Sequence, residues 1–199
     1  MGEDDGLLAA IERIRAERLV AILRRLPDVD TRMSALADAG FGVVEITLDS
    51  PDAPAAIERA RSRGDVTVLA GTVRRADQVD LAAKAGAEAV VSPGFVREVV
   101  ERAAELGVPA VPGALTPTEV EAAWRAGVAL VKLFPGSLGG PAYVRELLAP
   151  LAEIPLLVTG GIDSRNARAF LDAGAIAVGA GSASGDPAEA RRLVEAVRR

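Results

Sequence analysis

The chain has 199 residues, half of them hydrophobic but only 3% aromatic, and 23 basic against 28 acidic residues give a net charge of −5. That length allows one domain with a core of Ala, Val, Leu and Ile, and the scattered basic residues argue against nucleic acid. No apolar run nears the roughly 20 residues of a membrane span, and the acidic start Met-Gly-Glu-Asp-Asp is unlike a secretory signal, so a cytoplasmic protein is expected. The chain also lacks histidine and cysteine. This excludes a Ser-His-Asp triad, a Cys nucleophile, a histidine base, disulfides and ordinary zinc sites. Acid–base and covalent chemistry falls to Lys, Glu, Asp, Tyr, Ser or Thr.

Residues 5–18 read as an amphipathic helix with Leu8, Ile11 and Ile14 on one face. From there a unit repeats. Gly40, Gly64, Gly86, Gly107, Gly127 and Gly174 recur at intervals of about 20–24 residues, the last gap being about double. Most end a helical stretch and precede a β-rich run, as glycine at a helix C-terminus does. The spacing predicts strands at 19–24, 43–48, 66–70, 88–92, 108–112, 128–134, 155–159 and 175–180. Helices are predicted at 30–40, 52–63, 75–86, 95–106, 117–126, 140–151, 164–173 and 187–198, with Asp30, Ser50, Thr116 and Asp163 as N-cap candidates. Alternating βα units with continuously apolar strands mean a parallel sheet covered on both faces. Eight units close most simply into an α/β (β/α)8 TIM barrel with an N-terminal helix, a single domain over 1–199 and short for that fold. The rival is an open doubly wound sheet, whose GxGxxG fingerprint after the first strand is missing.

Chemistry concentrates at the C-terminal ends of barrel strands. Counting five residues on from each repeating glycine reaches Glu45, Leu69, Val91, Pro112, Lys132 and Gly179. Only Glu45 and Lys132 ionise, so a carboxylate and an amine are expected at similar heights in one apolar bowl. The chain has two lysines, Lys84 and Lys132. Lys84 reads as a surface residue. Lys132 reads either as a strand-end amine that snorkels or pairs with Glu45 for stability, or as a Schiff-base nucleophile. In the second reading, desolvation by Leu130, Leu133 and Phe134 disfavours the ammonium. Glu45 is then the general acid/base, or else the charge partner of an arginine. Arg24 ends the first strand, where its fork can hold a carboxylate. Thr159-Gly160-Gly161 and Gly179-Ala180-Gly181-Ser182 follow the last two strands, where phosphate-binding barrels hold phosphate on backbone N–H groups. Gly160, Gly161 and Gly181 offer those amides, and Ser182 a hydroxyl. The alternative for both clusters is a plain tight turn.

Taken together and in order, several stretches resemble the class I 2-keto-3-deoxy-6-phosphogluconate (KDPG) aldolases and their 6-phosphogalactonate and 4-hydroxy-2-oxoglutarate relatives. They are Ala21-Ile22-Leu23-Arg24, Val44-Glu45-Ile46-Thr47-Leu48, Ala70-Gly71-Thr72-Val73, Ser92-Pro93-Gly94, Val111-Pro112-Gly113, Thr116-Pro117-Thr118-Glu119, Val131-Lys132-Leu133-Phe134-Pro135, Thr159-Gly160-Gly161 and Val178-Gly179-Ala180-Gly181-Ser182. The resemblance implies a trimer of short barrels and an Entner–Doudoroff lyase that cleaves 2-dehydro-3-deoxy-6-phosphogluconate to pyruvate and D-glyceraldehyde 3-phosphate. It puts the imine on Lys132 and the acid/base on Glu45. Arg24 and Thr72 would hold the pyruvyl carboxylate, Pro93 and Phe134 would pack on the pyruvyl group, and Thr159 would meet a substrate hydroxyl. Gly160, Gly161, Gly181 and Ser182 would hold the phosphate. Neither a metal nor an organic cofactor is implied, and the only other partner is a second and third copy of the chain.

The sequence departs from this pattern in places. Asp49 stands where some relatives carry an arginine, which leaves the carboxylate to Arg24. The stretch after Ser182 is short for the family. Thr159 resembles the gluconate branch, where the galactonate branch tends to have valine, while Asp49-Ser50-Pro51 and Gly140-Pro141-Ala142-Tyr143 resemble the galactonate branch. Two other classes stand beside the aldolase: a phosphate-binding barrel isomerase or synthase without imine chemistry, and a non-catalytic trimeric scaffold.

Overall fold

A computed structural model describes residues 8–25, 28–181 and 185–198. Helix α1 (Ala9–Glu17) leads into β1 (Leu19–Leu23), α2 (Val29–Ala39), β2 (Val43–Thr47), α3 (Ala53–Arg63) and β3 (Thr67–Gly71). The chain continues through α4 (Ala76–Lys84), β4 (Ala89–Val91), α5 (Arg97–Glu105), β5 (Ala110–Val111), β6 (Gly113–Ala114) and α6 (Pro117–Trp124). It ends with β7 (Val131–Leu133), a 3-10 turn at Gly136–Leu138, α7 (Gly140–Leu148), β8 (Leu156–Thr159), α8 (Ala167–Asp172), β9 (Ala177–Ala180) and α9 (Pro187–Arg198).

All strand pairings are parallel, in the order β5-β4-β3-β2-β1-β9-β8-β7-β6. The two ends of that order are one strand of the barrel, broken at Pro112. Proline has no N–H to give the ladder, so β5 pairs with β4 and β6 with β7. The Pro112 carbonyl still accepts from Lys132 N at 2.9 Å. The expected strand 108–112 is thus two short pieces, and the ring runs through them as a (β/α)8 barrel.

Two apolar layers hold the ring. Outward strand residues such as Val44, Ile46, Val68, Val131 and Val158 pack under the helices. Inward residues, including Val20, Val43, Leu69, Ala89, Leu130, Leu157 and Ala177, form the barrel interior together with Ala10, Ile11 and Ile14 of α1. The N-terminal helix therefore closes the barrel floor. Leu8, expected on its buried face, is 40% exposed, and Ala10 takes its place.

The six repeating glycines all have left-handed φ, from 67° to 110°, which a Cβ disfavours. The five-residue count from them reaches the interior at Leu69 and Val91. It misses at Pro112, because Val111, one residue earlier, carries the inward side chain. Other boundaries shift for local reasons. Asp28, not Asp30, caps α2 by accepting from Thr31 N at 3.0 Å. Asp163 accepts from Arg165 N in a turn that delays α8 to Ala167. Pro155 cannot donate, so the ladder of the expected strand 128–134 starts only at Val131.

Candidate active site

Lys132 lies in the middle of β7 and Glu45 in the middle of β2. Barrel curvature brings their side chains together: Lys132 Nζ is 3.8 Å from Glu45 Oε2, with the side chains 3% and 0% exposed. That is close enough for attraction between charges and too long for a direct hydrogen bond. The Lys132 ammonium also lies 5.5 Å from the centroid of the Phe134 ring, a cation–π distance. A lysine snorkelling to solvent is ruled out by its burial.

Most buried polar side chains find a partner. Among the described residues, the buried side-chain atoms without a hydrogen bond are both Glu45 oxygens, Thr72 Oγ1, Thr159 Oγ1 and Arg15 Nε. All but the last belong to the expected site. Thr72 also has φ +59°, which a β-branched residue adopts only when its surroundings enforce it. Backbone strain and an unspent hydroxyl at one residue, as at Thr72, are what a ligand-binding site displays.

A cavity of about 320 Å³ opens above this pair, lined by Arg24, Lys132, Phe134, Thr159, Gly160, Gly161 and Gly181 as well as Ile22 and Ile162. Seven of the residues expected at the site therefore share one wall. Glu45, Thr72 and Pro93 are not on that wall; Glu45 lies behind it, against Lys132. The Pro93 carbonyl packs against Gly113, where a Cβ would come within 2.3 Å of it, and Gly113 is the register partner of Lys132. Ser182 lies outside the described residues.

The loop after β8 is built for close approach. Gly160 and Gly161 have φ of 89° and 77°. A Cβ on Gly160 would press on the Phe134 ring at 3.0 Å, and one on Gly161 would strike Ser137 at 2.6 Å. Asn166 holds the loop from below: its Nδ2 donates to Gly161 O at 2.8 Å and its Oδ1 accepts from Asp163 N at 3.0 Å. Glu189 of α9 accepts from the amide and the hydroxyl of Ser164.

The sequence marks neither Asn166 nor Glu189 as a site residue, and marks Gly71 only as part of the Gly71-Thr72 rim after the third strand. Gly71 has a direct effect: a Cβ there would lie 2.1 Å from Glu45 Oε1. The carboxylate occupies space that only glycine leaves. The signal available in the sequence was a Gly-Thr pair at a strand end, without any sign of what it faced.

Asp49 does not face the cavity wall as a second anion. It pairs with Arg25, whose Nε lies 3.0 Å from Asp49 Oδ2. Partial burial opposes the Asp49 charge, but the Thr47 hydroxyl, Arg25 and Arg24 outweigh it and hold the carboxyl below the usual range. Among the described residues no cluster of acidic side chains could hold a metal ion, and no helix is long and apolar enough to cross a membrane.

Comparison with known proteins shows the family. A family model described as "Aldolase: KDPG and KHG aldolase" matches residues 10–193. The 2-dehydro-3-deoxy-6-phosphogalactonate aldolase of Escherichia coli K12 is 38% identical over 172 residues, 82% of each chain. The 2-dehydro-3-deoxy-phosphogluconate aldolase of Haemophilus influenzae is 37% identical over 165 residues, covering 81% of this chain and 78% of the relative. A solved structure described as native KDPGal superposes with a TM-score of 0.83 at 35% identity, over 90% of this chain and 94% of the other.

Proposed function

The chain belongs to the KDPG and KHG aldolase family, and from that premise we propose that it is a class I, Schiff-base aldolase for 2-dehydro-3-deoxy-6-phosphogluconate. Lys132 Nζ adds to the C2 ketone, and loss of water leaves a protonated imine. Glu45 takes the proton of the C4 hydroxyl as the C3–C4 bond breaks. The bond's electron pair flows into the imine, giving an enamine, and D-glyceraldehyde 3-phosphate departs. Protonation at C3 and hydrolysis release pyruvate and return the free lysine. Arg24 and the unpaired Thr72 hydroxyl hold the carboxylate, Pro93 and Phe134 flank the pyruvyl group, and Gly160, Gly161, Gly181 and Ser182 hold the phosphate. The working assembly is a homotrimer, three times the 20.5 kDa of the chain.

The observation that carries this reading is the buried Lys132–Glu45 pair, 3.8 Å apart below the cavity. Imine chemistry needs an amine held out of water beside a carboxylate that can move a proton. Borohydride reduction in the presence of pyruvate, read by mass spectrometry, tests it. A reduced pyruvyl adduct is expected on Lys132 and absent from Lys132→Ala; an adduct that survives the substitution removes the lysine from its role.

The gluconate epimer is preferred because Thr159 offers a buried, unpartnered hydroxyl beside Lys132. The galactonate epimer is the second reading, favoured by the Escherichia coli relative. Assay of both epimers separates them. Thr159→Val should lower kcat/KM for the gluconate epimer by about tenfold or more, the usual effect of losing a hydrogen bond to a substrate hydroxyl. An unchanged preference would remove Thr159 from the choice.

A further inference from the structure

Arg24 lines the cavity on an exposed side chain that makes no hydrogen bond among the described residues, and its charge acts on Asp49. With no bond to fix the side chain, its aim starts from the backbone, and that backbone is held on both sides. Arg25 N donates to Ser50 Oγ at 2.8 Å. Thr47 Oγ1 donates to Leu23 O at 3.2 Å, and the two hydroxyl oxygens are 3.2 Å apart.

An amide only donates and a carbonyl only accepts, so the two hydroxyls carry the link between Arg25 N–H and Leu23 C=O. The Thr47 hydroxyl also acts on the Asp49 carboxylate. Both hydroxyls are buried, Thr47 at 0% and Ser50 at 6% exposure. The link starts and ends on the two residues flanking Arg24. Arg25 is held at φ +52°, a left-handed conformation that a non-glycine residue keeps only when its contacts enforce it. Its ion pair with Asp49 also occupies the neighbouring charge.

We propose that Thr47 and Ser50 are positioning residues for Arg24: they fix the backbone turn from which it reaches the cavity, and through it they set affinity for the substrate carboxylate. This rests on the carboxylate role proposed above for Arg24. Ser50, read from the sequence as a helix cap, serves the end of β1 instead, since no side chain caps α3.

The test is exchange of the pyruvate methyl protons in heavy water, followed by NMR on the full chain. Thr47→Val and Ser50→Ala should each raise KM for pyruvate by about five- to tenfold, with kcat within about twofold of the parent. Thr47→Ser, which keeps the hydroxyl, should bring KM back to within about twofold. On an Arg24→Ala background the same two substitutions should add nothing, because residues acting through one group are not additive. If Thr47→Val lowers kcat alone, or multiplies the Arg24→Ala effect, the positioning role fails and the carboxylate role of Arg24 stands. If Arg24→Ala itself leaves KM unchanged, both fail. Should Thr47→Val not fold, Ser50→Ala leaves the Thr47–Leu23 bond in place and completes the same cycle.

Discussion

At Gly71 a single Cβ would lie 2.1 Å from Glu45 Oε1 and 2.6 Å from its Cδ. No rotation of a methyl relieves such a contact, so Gly71→Ala must displace either the carboxylate or β3. Lys132 Nζ faces the other carboxylate oxygen, Oε2. Gly71→Ala is therefore expected to keep forming the borohydride-trapped pyruvyl adduct while turnover falls by about 10²–10⁴, the range of a lost general acid/base. Glu45→Gln should behave alike, since it keeps the shape and loses the base. Retained helical circular dichroism separates this outcome from misfolding. Full turnover in Gly71→Ala would show that Glu45 has another place to go and that the glycine is not needed to seat it.

Among the elements, α6 shows most directly how sequence and contact agree. Thr116 accepts from Glu119 N at 3.4 Å, and the Glu119 carboxylate accepts from the amides of Leu115 and Thr116 at 2.9 and 2.8 Å. This is the reciprocal capping box that Thr116-Pro117-Thr118-Glu119 spells out. Thr116→Ala should cost about 1 kcal/mol in urea unfolding, the common worth of an N-cap. A loss below about 0.3 kcal/mol would mean that packing of Val120 and Ala123 alone sets this helix start. Such local chemistry is legible because donor, acceptor and helix lie within a few residues. The glycine-to-strand count worked for the same reason: a helix stop and a short turn put Glu45 and Lys132 on equivalent inward positions. It slipped at Pro112, where a missing N–H breaks the ladder. The remaining parts depend on segments far apart in the chain. Gly113 must be small because Pro93 crosses it, and Gly71 because Glu45 fills its space. Asn166 matters because Gly160 and Gly161 turn above it. No local pattern reports those approaches, and the Thr47–Ser50 clamp on Arg24 joins two strand ends that only the barrel brings side by side.

Over the whole molecule, the response to pH follows from what the chain lacks and what its carboxylates touch. It has no histidine, the side chain that ordinarily titrates between about pH 5 and 8. Several carboxyls are held below their ordinary values of 3.8 and 4.5 in the folded state. The backbone amides of Thr116 and Leu115 lower Glu119, and Arg165 lowers Asp163. Burial opposes the charge of Glu189, but Ser164 and Arg192 outweigh it; Asp49 is held down in the same way. A carboxyl lowered by folding binds fewer protons in the native chain than in the unfolded one at acid pH, so stability must fall as acid is added. The contribution is fully present above the unfolded values and is lost as pH passes down through the folded ones. Glu119 and Asp49 are exposed and Asp163 and Glu189 half-buried, so each effect is small and screened by salt. The urea midpoint should accordingly stay level from about pH 6 to 8, fall progressively below about pH 4.5, and fall less steeply as salt is raised. Asp163 follows the Gly160-Gly161 turn and Glu189 of α9 holds the next residue, Ser164, so, with the phosphate role proposed for those glycines, the same titration should weaken protection of the chain by inorganic phosphate together with its stability. A midpoint that already drops between pH 8 and 6 would place the governing titration in some group other than these carboxylates.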